Sequence, residues 1–170
     1  MMAELYEKYK ELQIDGSLLC LEQRNDDFSY FCYPVNARAI GFEGSILYCF
    51  LEPYGDMVFA CDPETCADLF VYPLAASFAD FLRLILACGS ANPIEQIAWM
   101  SEEQFRQHLQ EEVKLRTDEQ QKLLCFLAQE FNLSPMEQPY RYVKQIQDSF
   151  DDSKIAYSDE YFETLGLERV

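Results

Sequence analysis

Glu52 and Asp56 stand on either side of Pro53-Tyr54-Gly55, and two carboxylates brought together across a turn could do acid–base chemistry. They belong to a longer anomaly. Between Arg38 and Arg83 there is no Lys or Arg, yet the stretch holds Glu43, Glu52, Asp56, Asp62, Glu64, Asp68 and Asp80. Uncompensated carboxylates repel one another and disfavour the compact state; their commonest functional use is to attract a cationic partner. No aromatic-lined cleft can be read beside the pair. The charge cluster therefore reads as a docking surface before it reads as a catalytic site.

Other chemistry finds less support. His108 is the only histidine, and a Cys–His hydrolase needs a thiol beside it and a polar residue to orient the imidazole. Cys88 and Cys125 are the candidates, but neither lies in a nucleophile motif, and His108 reads as a solvent-facing helical residue. The chain contains no G-x-S-x-G, Walker A loop, G-x-G-x-x-G or H-E-x-x-H. Cys61 and Cys66 flank Asp62-Pro63-Glu64-Thr65 without a second ligand pair, so zinc is not expected. Asp151-Asp152-Ser153 and Ser158-Asp159-Glu160 lack the spacing of a calcium loop and read as a solvated loop and a helix start. Trp99, Met100 and Phe105 read as a helix-to-sheet packing cluster. The expectation is a protein that is not an enzyme and needs no metal or cofactor.

Composition narrows the partner. The formal net charge of −17 and pI near 4.2 disfavour nucleic acid and anionic membranes, both of which require a basic footprint. With 49% hydrophobic and 15% aromatic residues, the 170-residue chain has ample material for a packed core. The seven cysteines are odd in number and irregularly spaced. That argues for core thiols in a reducing compartment rather than a disulfide framework. The N-terminus has acids and aromatics where a signal peptide needs an apolar core, and the apolar run Phe78–Cys88 is too short to span a bilayer. A cytoplasmic location follows as the expectation.

The elements that must carry these residues are mixed. Ala3–Gln13 has apolar residues at helical spacing and ends at Asp15-Gly16. Ser17–Glu22, Phe28–Val35, Ser45–Glu52, Met57–Asp62 and Asp68–Ala75 read as strands with short connections, which is the signature of an antiparallel meander. Pro53-Tyr54-Gly55-Asp56 is the turn of the hairpin Ser45–Asp62. Ser77 caps a helix Phe78–Cys88 that Gly89 ends, and its stripe Phe78, Phe81, Leu82 and Ile85 calls for a sheet to cover it. Asn92-Pro93 restarts a short helix. Ser101–Gln104 and Thr117–Gln120 are capping boxes opening two amphipathic helices. Helices at Tyr140–Ile146 and Ser158–Leu165 follow, separated by a polar loop. Residues 1–110 read as the core, and residues 111–170 as a helical C-terminal extension packed on it.

The segment Ala76-Ser77-Phe78-Ala79-Asp80-Phe81-Leu82 resembles the "small-Ser-Phe-x-x-Phe-Leu" signature of the SUKH superfamily, where a last strand runs directly into a helix. The two strands joined by a Gly-Asp turn at Tyr48–Phe59 are similar to the family pattern too. The resemblance covers roughly Ser17 to Gly89; residues after about Glu112 lie outside the family core. It implies an α+β fold, a mostly antiparallel meander with helices on one face, and no catalytic residues. The family includes yeast cell-wall-assembly regulators and bacterial immunity proteins that neutralise toxins, often nucleases or deaminases. The joint expectation is a protein-binding module of the immunity type, using Glu52, Asp56, Asp62, Glu64 and Asp68, with Tyr54 as an aromatic anchor, against a basic partner. A cell-wall-regulator-like scaffold or regulatory protein is the alternative.

Overall fold

The computed structural model describes residues 2–24, 28–65, 67 and 69–168. Four strands form one antiparallel sheet: β1 (Ala37–Glu43), β2 (Ile46–Leu51), β3 (Val58–Cys61) and β4 (Val71–Ala75), paired in chain order. Helix α1 (Met2–Glu11) precedes the sheet; α2 (Phe78–Cys88), α3 (Ala91–Gln96), α4 (Glu102–Leu115), α5 (Asp118–Glu130), α6 (Pro139–Asp148) and α7 (Asp159–Leu165) follow it. The class is α+β with a β-meander.

Successive strand residues point to opposite faces, and here both faces are buried. Ile40, Tyr48, Phe50, Val58, Ala60, Tyr72 and Leu74 join the larger core with Tyr6 and Tyr9 of α1 and Phe78, Phe81, Leu82 and Ile85 of α2. Leu124, Leu127 and Phe131 from α5 and Val143 from α6 close the same core. A boundary at residue 110 thus falls inside α4, and the helices beyond it help to bury the helix-covered face.

The other face carries Leu47, Cys49, Leu51, Phe59, Cys61 and Val71. Among the described residues no long helix lies on it. Two irregular segments cover it instead, one bringing Tyr30, Phe31, Cys32 and Tyr33, the other bringing Phe150, Ile155, Tyr157 and, from α7, Tyr161. The two segments are joined where Val35 N–H donates to the Ala156 carbonyl at 2.8 Å. The apparent polar loop after α6 is therefore a strap with its aromatic residues turned inwards.

Two expected strands take other forms. Gly16–Leu19 is a 3-10 turn capped by Asp15, and Glu22 makes only a single bridge, to Phe42. Residues 28–35 are irregular, with turns at Phe31-Cys32 and Val35. The first strand is instead Ala37–Glu43, an Ala- and Gly-containing stretch whose extended form comes from pairing with β2. Gly41 explains how the 17–22 segment crosses it: a Cβ there would stand 2.7 Å from Leu21 main-chain atoms.

The helix signals hold more closely. α2 has the expected bounds, with Asp80 N–H donating to Ser77 Oγ at 3.1 Å and Gly89 at φ +93 ending it. Ser101 and Gln104 form a full capping box. Thr117 forms half of one, because the Gln120 amide donates to the Gly89 carbonyl instead. α3 starts at Ala91 after Ser90, so Asn92 is helical rather than a cap. The exposed edge of β4 is covered by α6, where Gln147 Nε2 donates to the Pro73 carbonyl at 3.1 Å. Proline suits an edge strand, having no N–H to offer a neighbour.

Candidate functional site

The hairpin β2–β3 ends in a short 3-10 turn, Glu52–Tyr54, closed by Gly55 at φ +65. This turn places Glu52 and Asp56 on one cleft of about 400 Å³, with Tyr6, Asn36, Arg38 and Phe50 completing the walls. Glu52 is exposed. Asp56 is only 8% exposed, and its Oδ2 accepts the Phe78 N–H at 3.1 Å, so it caps α2 from outside the helix. Burial pushes its carboxyl above the usual range, and the Phe78 N–H offsets part of that. Asp56 is thus a structural acceptor for the first turn of α2 as well as a wall of the cleft. Arg38 on the opposite wall is engaged with Glu7 and lies over the Tyr6 ring at 5.0 Å.

Tyr54 is half-buried against the other sheet face. Its ring packs against Phe59 and Phe150, at centroid distances of 5.3 and 5.2 Å. Its hydroxyl donates to the Asp151 carbonyl at 2.8 Å and accepts the Lys154 N–H at 3.0 Å. It anchors the chain's own strap. The consequence is that Asp151 and Asp152 arrive beside the hairpin. Burial raises the Tyr54 phenol, the Lys154 N–H lowers it, and the two carboxylates raise it again. The end of the hairpin therefore carries acids on both sides of the sheet: Glu52 and Asp56 at the cleft with Tyr6 and Phe50, and Asp151 and Asp152 beside Tyr54, from a segment that the sequence reading assigned to solvent.

The other described acids of the lysine-free stretch do not join them. Asp62 and Glu64 lie beyond Cys61, at the other end of β3, and four strand residues span about 13 Å. That exceeds the screening length of about 8 Å at physiological salt. Asp62 is half-buried, and its Oδ1 accepts the Glu64 N–H at 2.9 Å, holding the turn; Glu64 is exposed. Asp68, like the thiol of Cys66, lies outside the described residues. Glu43 accepts from Tyr48 and Asn92, at 2.9 and 2.8 Å. Asp80 accepts from Tyr142 at 2.6 Å and lies 3.6 Å from Arg83. The lysine-free stretch is divided among two surface sites and several internal contacts.

A second polar centre escaped the sequence reading. Glu95 of α3 is fully buried, and its carboxylate accepts from Tyr72 Oη, from Trp99 Nε1 at 3.1 Å and from Gln96 Nε2 at 2.7 Å. Burial raises its carboxyl, the Tyr72 and Trp99 donors lower it, and Asp62 and Glu43 push it up further. The available signal was its register: Glu95 lies four residues after Ala91 and three before Ala98, on an apolar stripe. His108 is half-buried rather than solvent-facing, with Nε2 donating to Asn92 Oδ1 at 3.2 Å. The thiol of Cys88 is buried and pushed up to about 12, which opposes the thiolate a nucleophile needs.

Among the described residues, no three His, Cys, Asp or Glu side chains converge to hold a metal ion, and no helix is long and apolar enough to cross a membrane. No family model, curated protein or solved structure matches the chain.

Proposed function

We propose that this chain is a non-enzymatic protein-binding module of the immunity type, which neutralises a cognate toxin by docking its acidic hairpin end on a basic surface. The observation that carries the reading is the set of carboxylates flanking the hairpin end, Glu52 and Asp56 at the cleft on one side and Asp151 and Asp152 beside Tyr54 on the other. A Lys or Arg side chain of the partner enters that cleft, against Glu52 and over the Phe50 ring. Such a contact uses charge for encounter and an apolar wall for residence. The SUKH resemblance of residues 17–89 agrees with this reading, and a nuclease or deaminase acting on nucleic acid has the positive surface it requires.

The test is association with the protein encoded next to this chain. Reversal of Glu52, Asp151 and Asp152 to Lys lowers the association rate about tenfold at low salt, and the difference closes at high salt. An unchanged rate overturns the proposed surface. Binding without any loss of the partner's activity favours the scaffold or regulator reading.

A further inference from the structure

The buried carboxylate of Glu95 is more than a helix needs to stay on a sheet. Apolar side chains of similar volume do that at lower desolvation cost. What the carboxylate adds is direction. It fixes the indole N–H of Trp99 and the hydroxyl of Tyr72 on the same oxygen, while the Tyr72 ring meets the indole edge-on at 5.4 Å and 86°. Trp99 is nevertheless 37% exposed. A large aromatic surface is thus held rigidly at the floor of an open groove beside α4.

The groove, about 440 Å³, is within the size range of small-ligand sites. Gln104, Gln107, His108 and Glu111 line it along one side of α4. Each of the first three is pinned at one end by a partner that determines its orientation. Gln104 Oε1 accepts the Ser101 N–H at 2.9 Å, which leaves its Nε2 as a donor. Gln107 Nε2 donates to Glu103, which leaves Oε1 as an acceptor. Asn92 donates to Glu43, so its Oδ1 accepts a hydrogen bond from His108 Nε2, and an imidazole protonated at Nε2 alone has Nδ1 as an acceptor.

We propose that this groove binds a neutral carbohydrate, with Trp99 stacked on a sugar ring. No Lys or Arg lines the groove, so an anion finds no counter-charge, and Glu111 is already met by Lys114 at 3.1 Å. An alternating set of fixed donors and acceptors matches hydroxyl groups, which need both. A polyproline segment offers acceptors only, and would leave Gln107 Oε1 and His108 Nδ1 without donors. The amphipathic indole suits a ligand with an apolar face and polar edges.

Trp99 is the only tryptophan, so its emission reports on this groove alone. The full chain is titrated with cellopentaose, maltopentaose, laminaripentaose and chitopentaose, and with decaproline. A saturable change with at least one pentasaccharide, weakened roughly fivefold by Gln107→Ala through loss of a hydrogen bond, supports the site. No response to any sugar at about 10 mM, a response to decaproline alone, or sugar binding unaltered by Gln107→Ala overturns it.

Discussion

The Tyr54 hydroxyl and the Asp151 carbonyl, 97 residues apart in sequence, meet at 2.8 Å. The same hydroxyl takes the Lys154 N–H, so one phenol closes both ends of the strap's turn while its ring, with Phe59 and Phe150, supplies the apolar floor. This relationship joins stability to the proposed function, because the strap that seals the second sheet face also delivers Asp151 and Asp152 to the hairpin.

Tyr54→Phe keeps the ring and removes both hydrogen bonds. The expected cost is about 1–2 kcal/mol in urea denaturation, accompanied by faster amide exchange confined to residues 150–157. Tyr54→Ala also empties the aromatic floor and costs about 3–5 kcal/mol. Exchange in that segment unaffected by Tyr54→Phe would show that the phenol does not hold the strap.

Asp56 separates a structural from a docking role. Asp56→Ala leaves the Phe78 N–H buried without an acceptor and costs about 1–3 kcal/mol. Asp56→Asn keeps an acceptor in place and stays within about 1 kcal/mol of the native chain. Denaturation midpoints that move equally for both variants contradict the capping role.

Local signals were legible where chain chemistry and tertiary need agree. Ser77 and Gly89 bound α2 because a hydroxyl cap and a left-handed glycine end a helix whatever surrounds it. The hairpin was legible because Pro53 and Gly55 dictate a turn. By contrast, Ser17–Glu22 and Phe28–Val35 are as apolar as strands, yet they bury Leu19, Leu21, Cys32 and Tyr33 by wrapping over the sheet, touching its ladder at the Glu22–Phe42 bridge alone among the described residues. Ala37–Glu43 has weak strand propensity and is extended because β2 offers it partners. For the site, the charge anomaly led to Glu52, but the arrival of Asp151 and the burial of Asp56 depend on long-range packing that leaves no mark in local composition.

Gly41 tests that packing directly. Gly41→Ala drives a Cβ into the Leu21 main chain at 2.7 Å, and both hydrogen bonds of the Glu22–Phe42 bridge, each 2.8 Å, lie beside it. Backbone cannot yield as a side-chain end can, so a loss of about 1–3 kcal/mol is expected. Amide exchange at Glu22 and Phe42 should accelerate with it. A variant as stable as the parent would mean that the 17–22 segment does not pack on β1 at this point.

Glu95 gives a pH dependence whose sign is fixed by its surroundings. Its folded carboxyl titrates above the ordinary 4.5, with burial the leading cause. Between the unfolded value and the raised folded one, the native state binds a proton that the unfolded chain has released. Stability from this group therefore falls as pH rises through that window, by at most about 1.4 kcal/mol per pH unit, and is level above it. In Glu95→Gln the amide oxygen still accepts from Tyr72 and Trp99, and Gln96 turns its own oxygen to the new N–H. The variant should therefore gain stability relative to the parent as pH increases from about 4.5, and then hold a constant difference. Parallel denaturation curves for the two proteins across that range would place the Glu95 proton outside the folding equilibrium, whereas a widening gap assigns the buried charge as a cost carried to keep Trp99 in position.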